Sequence, residues 1–377
     1  MFNIWMTNFS CPLCGGKTKG HGKTATGAKR RQCMSCHATS TRSVDNSAKQ
    51  LRQFMSWILS KKTQSEMKPS ARTFRRNTSR FWEIWPVAPV CDEIRHVVHV
   101  DGIWLGRKAV VLIACTQDHV IGWHLARSEH SQAWAALMSR VAPPDVVVTD
   151  GGNGFERARR AVWPTARVQR CTFHAFEQVK RQTTARPRLE AASELYGVAK
   201  GLLQVGDLNE AAAWLASFSN WCTRWDGFLR EKTVVDGKAQ FKHERLRKAR
   251  RGLEKLARAG TLFTYLDEGL ARQGAIPATN NRIEGGVNRQ LRVVLNEHRG
   301  LRLDRRIKAV FWWCYMHTEC PLSPADILRE MPTDATIANL YQTAGDASRR
   351  DQAIAQWGTA IQWSDLHSSG PYRIDYD

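Results

Sequence analysis

The stretch from Val97 to Thr116 reads VVHVDGIWLGRKAVVLIACT, and it decides the fold class. Two runs rich in β-branched residues, one at each end, flank a short polar interval at residues 106–108, which is the pattern of a β-hairpin. The first run carries Asp101, an acidic residue within an otherwise apolar strand. The sequence therefore predicts two paired strands, the first of which holds a candidate functional carboxylate.

Strand and helix signals alternate beyond this hairpin. In order they are a strand at Val120–Leu125, a helix at Ser131–Val141, a strand at Asp145–Asp150, a helix after Gly151 and a strand at Ala166–Cys171. A ribonuclease-H-like α/β domain has the same order of elements: three hairpin-linked strands, a helix, a central strand, a helix and another strand. We therefore predict the first part of such a core at residues 91–180.

Two carboxylates stand out on this layout. Asp150 ends the central strand and glycines follow it, while Asp101 lies in a strand expected to be its neighbour. Strand ends beside glycine-bearing turns are where an α/β sheet exposes groups to a ligand. Either aspartate alone is better explained as a turn or helix-cap residue, so it is their joint placement that predicts a shared site. Asp118, Glu129 and Glu177 are competing acids in less coherent contexts.

The segment Ala278–Arg292, ATNNRIEGGVNRQLR, predicts a helix with a third carboxylate, Glu284, in its first turn. The pair Gly285-Gly286 costs about 1 kcal/mol per glycine relative to alanine inside a helix, so we expect it to let a backbone or a phosphate approach closely. Asn288 lies one turn beyond Glu284. The basic residues expected to contact DNA here are Arg282, Arg289 and Arg292.

The residues between the two parts of the core are helix-forming. Residues 181–277 show no convincing strand pattern and include a basic helix around His243–Arg258, so we predict an all-helical insertion. The core then resumes at residues 278–320 with the helix that carries Glu284. Residues 321–377 form a mildly acidic C-terminal tail, with eight Asp/Glu against four Lys/Arg, for which the sequence suggests no function.

Four of the ten cysteines form a pattern typical of a zinc site. Cys11-Pro-Leu-Cys14 and Cys33-Met-Ser-Cys36 are two C-x-x-C knuckles separated by 18 residues, and four thiolates at this spacing complete a closed tetrahedral Zn²⁺ site. The basic segment between them lacks the apolar residues of a core, so we expect the metal to supply the folding energy. We predict a zinc ribbon at residues 1–45, and reduced thiols for the scattered cysteines.

A helical stretch with a basic end follows at residues 46–90. Apolar residues at helical spacing around Leu51 predict one helix, Thr63–Glu66 has the form of a capping box, and Ser70 can cap a third helix up to about Trp82. Three short helices, the last one basic, fit a helix-turn-helix whose recognition helix enters a major groove, although a solvated charged helix shows the same pattern. The expected DNA contacts are Arg72, Arg75, Arg76 and Arg80.

The charge and hydropathy of the chain exclude some classes of protein. The chain has 377 residues with a formal net charge of +21, and residues 1–85 carry sixteen Lys/Arg against three Asp/Glu. Such an uneven basic end indicates a polyanion-binding module. The longest apolar runs are far shorter than the roughly 18–20 residues of a membrane-spanning helix. Met1–Ser10 lacks the features of a secretory signal, so we expect a cytoplasmic protein without membrane contact.

Four motifs follow the zinc ribbon in this order: Asp101-Gly102, Asp150-Gly151, Cys171-x-x-His174 and Asn281-Arg282-Ile283-Glu284. This ordered set resembles the Mutator-like branch of bacterial insertion-sequence transposases. The resemblance covers about residues 45–320, and the zinc ribbon departs from the commonest members of the branch. These enzymes have a DDE catalytic core with a helical insertion between the second Asp and the Glu, for which the 134-residue interval leaves room. The resemblance implies Mg²⁺ dependence, recognition of terminal inverted repeats and no stable covalent protein–DNA intermediate.

Asp101, Asp150 and Glu284 are the expected catalytic metal ligands. Two Mg²⁺ ions, or Mn²⁺ in their place, about 4 Å apart can stabilise both the attacking and the leaving oxygen of a phosphodiester. We expect Asp101 to bridge the two ions and the other two acids to hold one ion each. The residues expected to form the active-site wall are Cys171, His174 and Asn288. For Cys171 and His174, purely structural roles, as a buried thiol and a capped histidine, explain the Cys-x-x-His pattern equally well.

The expected partner is double-stranded DNA, both the terminal inverted repeats and the target, in the nucleoid of a bacterial cytoplasm. A homodimer or larger assembly is expected because two element ends have to be paired. Two other functions fit the same residues. A zinc-ribbon regulator without catalysis would bind DNA with strong salt dependence and would not nick it. A ribonuclease-H-like nuclease would cleave without joining.

Overall fold

A computed structural model describes residues 10–348 except 12, 42–45 and 69. The part of the predicted C-terminal tail beyond Ser348 therefore lies outside the described residues. By its internal contacts the chain divides into two compact units, residues 1–52 and residues 53–377. Within the described ranges, no helix has the length and apolar character needed to cross a lipid bilayer.

The first unit is built on a small antiparallel sheet. Its strands are β1 (Thr18–Lys23), β2 (Lys29–Cys33) and β3 (Thr39–Thr41), with β2 in the middle. Their side chains are largely exposed, whereas Cys11 and Cys33 are buried. A sheet with so little apolar burial gains little from the hydrophobic effect, so the cysteines are its structural centre. This arrangement is compatible with the predicted zinc ribbon.

A helical region follows the small sheet. It comprises α1 (Ser47–Ile58), a single 3₁₀ turn at Gln64–Glu66, α2 (Ala71–Thr78) and a 3₁₀ segment at Ser79–Glu83. The capping box at Thr63 is present, and the Ser70 side chain accepts a hydrogen bond from the amide of Thr73. The 3₁₀ segment Gln64–Glu66 is only one turn long. Pro69 follows it closely in the sequence, and a proline disfavours the helical conformation of the residue before it. The helix-turn-helix stays a prediction.

A five-stranded mixed sheet forms the centre of the second unit. Its strands are β4 (Val97–Leu105), β5 (Ala109–Cys115), β6 (Val120–Ala126), β7 (Val146–Thr149) and β8 (Arg167–Arg170). Their order is β6-β5-β4-β7-β8, in which β4, β7 and β8 are parallel and the β4–β5 and β5–β6 pairs are antiparallel. The strands predicted between residues 97 and 171 are confirmed, as is the hairpin that joins the first two.

Helices cover both faces of this sheet. On one face, α3 (Ser131–Met138) and α4 (Asn153–Val162) bury Trp134 and Phe155, whose rings meet edge to face. On the other face, the helix at Leu303–Met316 contacts β4 and β6. Because both faces are covered, all seven residues of β5 are buried, which explains its uninterrupted apolar sequence.

The insertion has its own hydrophobic core and one unpredicted hairpin. Its elements are α5 (Thr172–Thr183), α6 (Glu190–Gly201), α7 (Leu208–Arg224), α8 (Asp226–Arg230), β9 (Lys232–Val235), β10 (Lys238–Phe241), α9 (Glu244–Arg258) and α10 (Glu268–Ala271). The prediction of an all-helical insertion is wrong at β9 and β10, which pair antiparallel. Asp236 and Gly237 have φ values of 49° and 73° at the turn, and Asp-Gly is a preferred pair for such tight hairpins.

The chain returns to the central sheet after the insertion. A π-helix at Arg282–Asn288 continues into α11 (Arg289–Glu297), followed by α12 (Leu303–Met316), α13 (Pro324–Glu330) and α14 (Asp334–Ser348). The Trp85 indole donates to the Asp334 carboxylate at 2.6 Å, and the buried Lys308 ammonium donates to the same group. The described part of the C-terminal region is therefore packed into the second unit.

Candidate functional site

Asp101 lies in the interior of β4, and both of its carboxylate oxygens accept hydrogen bonds. The backbone N–H of Gly102 donates to Oδ1 at 2.8 Å, and the side-chain N–H of Asn288 donates to Oδ2 at 2.7 Å. Burial raises the pKa of Asp101 to about 7, with a further contribution from the negative charge of Asp150. A carboxylate in these surroundings is stabilised by a nearby cation.

Asp150 directly follows β7, next to Asp101 across the sheet. The last registered pair of β4 and β7 is Val100 with Thr149, so the two aspartates are the next residues on neighbouring parallel strands. The turn requires Gly151, because its φ is +74° and a Cβ there would lie 2.0 Å from Nη1 of Arg170. Burial raises the pKa of Asp150, while the charge of Arg170 acts in the opposite direction.

Glu284 comes from the π-helix, in which Ile283 and Val287 are buried anchors. π-Turns are rare and occur frequently at functional sites. A Cβ on Gly285 would lie 2.4 Å from Oδ1 of Asn281, so the group that approaches this glycine is a side chain of the same helix. Beyond the effect of burial, the charge of Glu284 contributes to the raised pKa of both aspartates. The charge of Glu284 therefore reaches both aspartates.

His174, in the first turn of α5, faces Glu284. Its Nδ1 lies 3.2 Å from Oε1 of that glutamate. Hydrogen bonding to Cys171, and then to Glu284, raises the pKa of His174 to about 10, so the imidazole is protonated at neutral pH. The ligand atoms of these three side chains all lie within 4.8 Å of one another, and such a set could hold a metal ion if the ion displaces the imidazole proton. The sequence pattern identifies the first two residues but not their glutamate partner.

Glu129 is a fourth carboxylate at the site, although the sequence ranks it only as a competing acid. Its Oε1 accepts a hydrogen bond from the Trp104 indole N–H at 2.8 Å, and a Cβ on Gly102 would lie 2.7 Å from the same oxygen. Burial raises the pKa of Glu129, and the charge of Asp150 adds to the effect. The sequence feature that points to Glu129 is Gly102, because its lack of a side chain leaves the space that the Glu129 carboxylate fills.

The two other competing acids have different surroundings. Asp118 is exposed in the loop between β5 and β6. Glu177 forms an ion pair with Lys180 on α5, at an N–O distance of 2.6 Å. Both acids therefore provide controls for the same substitutions made at the site.

Asn280 joins three chain segments of the site, and nothing in its sequence context indicates this role. Its side-chain N–H donates to the carbonyl of Val100 at 3.0 Å, and its Oδ1 is hydrogen-bonded to Nδ1 of His99 at 3.0 Å. Its backbone N–H donates to Sγ of Cys171 at 3.2 Å. One fully buried residue thereby connects β4, the start of α5 and the start of the π-helix.

The oxygen donors of the site suit a hard divalent cation. The charges of Asp150, Glu284 and Glu129 all act on Asp101. Oδ1 of the fully buried Asn288 has no hydrogen-bond partner among the described residues. Several close negative charges are costly without a counter-ion, and Mg²⁺ prefers oxygen ligands. The residues present therefore fit the ions expected from the sequence.

The four N-terminal cysteines form a separate candidate metal centre in the first unit. The Sγ atoms of Cys11 and Cys36 lie 3.6 Å apart, and those of Cys14 and Cys33 lie 3.5 Å apart. Tetrahedral Zn–S bonds of about 2.3 Å place the sulfur atoms about 3.8 Å apart, so the cluster fits zinc. Amides of Cys36 and Ser35 donate to Sγ of Cys33, and the first of these bonds contributes most to lowering the pKa of this thiol to about 6.

The arginines predicted to contact DNA differ in exposure. Those on α2 and in the following 3₁₀ segment are exposed, whereas Phe74 of the same helix is buried. Arg289 and Arg292 on α11 are also exposed. The Arg282 guanidinium is half-buried and donates to the backbone carbonyl of Asp118 at 3.4 Å. Six of the seven predicted arginines therefore present their side chains to solvent.

Comparison with known proteins identifies the family. Residues 34–233, more than half of the chain, match the family described as "Transposase, Mutator family". The transposase for insertion sequence element IS406 of Burkholderia multivorans (strain ATCC 17616 / 249) is 30% identical over 120 residues, which is 30% of this chain and 30% of that protein. The chain thus aligns with less than a third of that relative's length, and the family match ends before Glu284. The chain belongs to the Mutator family of transposases.

Proposed function

We propose that this chain is a DNA transposase that binds the terminal inverted repeats of its element and catalyses metal-dependent strand cleavage and strand transfer. The observation that carries the proposal is that the charges of Asp150 and Glu284 both raise the pKa of Asp101, so that carboxylates from β4, the end of β7 and the π-helix lie close enough to interact. We propose these residues as the catalytic acids. Membership of the Mutator family supports the same function.

The order of the sheet supports a ribonuclease-H-like core. From β4 the chain adds β5 and β6 on one side and then crosses to place β7 and β8 on the other. In an open α/β sheet, ligands bind at the point where the strand order reverses. That point here lies between β4 and β7, where Asp101 and Asp150 are neighbours.

The chain's own residues hold the acids in position. Gly102 and Asn288 fix the two oxygens of Asp101, and His174 pairs with Glu284. We propose Asp101 as the shared ligand of two Mg²⁺ or Mn²⁺ ions, and the other two catalytic acids as ligands of one ion each. When bound, these ions would neutralise charge on the attacking and leaving oxygens of a phosphodiester.

The remaining sites are proposed to bind DNA and to stabilise the N-terminal unit. The four-cysteine cluster would hold one structural Zn²⁺. The exposed arginines of α2 would contact the inverted repeats as part of a helix-turn-helix. A homodimer or larger assembly is proposed, because two element ends have to be paired, and the nucleoid is where such a protein would find its substrate.

One incubation separates this function from its alternatives. The full-length, zinc-loaded protein is mixed with a labelled duplex that ends in the element's inverted repeat, a target plasmid and Mg²⁺, with Mn²⁺ in a parallel reaction. A transposase yields both cleaved ends and labelled plasmid. A regulator binds the duplex without nicking it, and a nuclease cleaves without joining. Either of the last two results, obtained with both metals, overturns the proposal.

His174→Ala is expected to lower strand cleavage about 10–100-fold and to raise the Mg²⁺ concentration that gives half-maximal cleavage. The reason is that Glu284 loses the partner that lies 3.2 Å away and orients its carboxylate. Lys180→Ala breaks the 2.6 Å ion pair with Glu177 on the same helix and should leave both quantities unchanged. A lower melting temperature with normal cleavage in His174→Ala would show that this histidine is only structural.

Glu129→Gln is expected to lower cleavage about 10-fold or more, because it removes one negative charge from the site. Its amide oxygen can still accept the hydrogen bond from Trp104, so the change tests charge more than shape. Glu177→Gln is the control with the same chemical change. A single-turnover cleavage assay compares the two variants, and equal rates would remove Glu129 from the proposed site.

Asp101→Asn is expected to raise the melting temperature of the metal-free protein at about pH 8 and to raise it much less near pH 4.5. Asp101 has a pKa of about 7 in the folded chain, raised by burial and the charges of Asp150, Glu284 and Glu129. The folded state therefore holds the proton more tightly than the unfolded state, and stability falls as the pH rises towards 7. Thermal denaturation at the two pH values checks this, and an equal shift at both would contradict it.

A further inference from the structure

Helix α9 presents an entirely basic face to solvent. The exposed side chains of this helix are all Lys or Arg, namely Arg245, Lys248, Arg251, Lys255 and Arg258. Their spacing of three or four residues puts them on one side of the helix, opposite the buried Leu246, Ala249 and Leu253. We refer to these five residues as the α9 basic stripe, which extends over about 20 Å.

Solubility alone does not explain this stripe. Helix α7, in the same helical insertion, exposes twelve residues, of which only Glu210 and Arg224 are charged. The acids of α9 itself, Glu244 and Glu254, are half-buried at the side of the helix. A helix that needed charge only for solvation would carry both signs on its exposed face. Positive charge is therefore concentrated on one helix of the insertion.

The α9 basic stripe continues the surface of α5, the helix that begins at the candidate active site. The Arg245 guanidinium donates to the backbone carbonyl of Arg181 at 2.6 Å. A groove of about 200 Å³ between the two helices has an apolar floor, and Gln178, Gln182 and Lys248 are its polar lining residues. The charge of Arg181 also reaches Asp150, where it opposes the effect of burial on the pKa. The stripe thus borders α5, the helix whose first turn lies at the acidic site and whose Arg181 acts on Asp150.

We propose that the α9 basic stripe binds the phosphate backbone of duplex DNA that enters the candidate active site. The proposal rests on the proposed function for the presence of DNA at that site. Duplex DNA carries one negative charge per about 1.7 Å of axis, so a length of duplex equal to the stripe, about 20 Å, carries roughly twelve phosphate charges, and the stripe would contact those on the side turned towards α9. Phosphate contacts carry no base specificity. We therefore expect the stripe to hold duplexes with and without the inverted repeat equally.

Two matched triple variants test this proposal. The stripe variant carries Lys248→Gln, Arg251→Gln and Lys255→Gln. The control variant carries Lys200→Gln, Arg230→Gln and Lys238→Gln, at exposed positions elsewhere in the insertion. Each set contains two lysines and one ion-paired arginine, since Arg251 pairs with Glu244 and Arg230 with Asp226. Neither set touches the buried face of α9, and melting temperatures verify that both variants are folded.

Binding of the full-length protein is measured without Mg²⁺ over a range of salt concentrations, on a duplex with the repeat and on an unrelated one. For the stripe variant, the slope of log Kobs against log salt should fall by about 2–3, and affinity at about 0.1 M salt should fall at least tenfold on both duplexes. The control variant should stay close to the wild type. If both variants lose the same affinity, the effect reflects only the net charge of the protein. If the stripe variant loses affinity only for the repeat duplex, the stripe recognises sequence. Either result overturns the proposal.

The cleavage assay keeps this proposal apart from the proposed function. If the wild-type protein cleaves and joins DNA while the stripe variant keeps the full salt slope, the stripe proposal fails and the transposase function stands. If neither the wild-type protein nor the variants cleave DNA, but the salt slope of the stripe variant falls as expected, the stripe binds duplex DNA and the transposase function fails.

Discussion

Asp101→Asn, Asp150→Asn and Glu284→Gln are each expected to lower Mg²⁺-dependent strand cleavage by roughly a thousandfold or more. Each change nearly preserves the shape of the side chain and removes one negative charge from the site. In metal-free buffer, the affinity for the repeat duplex should stay within about threefold of the wild-type value, because binding depends on basic residues elsewhere. Single-turnover cleavage of a labelled repeat duplex measures the rate, and a salt titration measures the affinity.

The controls for these variants are Asp118→Asn and Glu177→Gln, which make the same chemical changes outside the acidic site. Both should cleave at the wild-type rate. If any one of the three site variants keeps more than about a tenth of the wild-type rate, that residue is not a catalytic ligand. If all three also lose DNA binding in the absence of metal, the acids have a structural role instead.

Cys33→Ser is expected to abolish zinc binding and to unfold the small N-terminal sheet. The zinc content should fall from about one ion per chain to near zero, because a structural site uses four ligands and supplies the folding free energy of its domain. Cys33 is buried, and its Sγ accepts hydrogen bonds from two backbone amides, so it lies at the centre of the cluster. Elemental analysis of the full-length protein after dialysis measures the zinc.

Trypsin reports on the folding of the same unit, because the segment between the knuckles contains Lys17, Lys19, Lys23 and three further basic residues. Early cleavage in this segment should increase about tenfold or more in Cys33→Ser as the sheet unfolds. Cys320→Ser, at an exposed cysteine outside the cluster, should change neither zinc content nor cleavage. Full zinc content in Cys33→Ser would contradict the proposed centre.

The central sheet could be predicted because the residues of its strands carry the information locally. All of β5 is buried, and its sequence is an unbroken apolar run. All of β7 is buried too, and it consists of three valines and a threonine. The neighbouring positions of Asp101 and Asp150 then follow from the parallel pairing of β4 with β7. The cysteine knuckles were predictable for a different reason, since a metal site depends on ligand type and spacing.

Other features of the site depend on contacts between distant segments, which local patterns do not encode. Asn280 bonds to Val100, which is 180 positions away in the chain, through a side chain that sequence alone would assign to a helix cap. Glu129 belongs to the acidic cluster through a contact with Trp104 and the space above Gly102. The β9–β10 hairpin was missed because its two four-residue strands lie between helices and its Asp-Gly turn is the only clear signal.

The two ends of the insertion lie side by side in the fold. The backbone N–H of Thr172 donates to the carbonyl of Ala278 at 3.0 Å, so about a hundred residues leave the sheet and return to nearly the same point. The free energy needed to close such an excursion grows only slowly with its length. Insertions in the loops of this module beyond α5 would therefore change its length without moving Asp101, Asp150 or Glu284, whereas loss of α5 itself would remove His174 from its place beside Glu284.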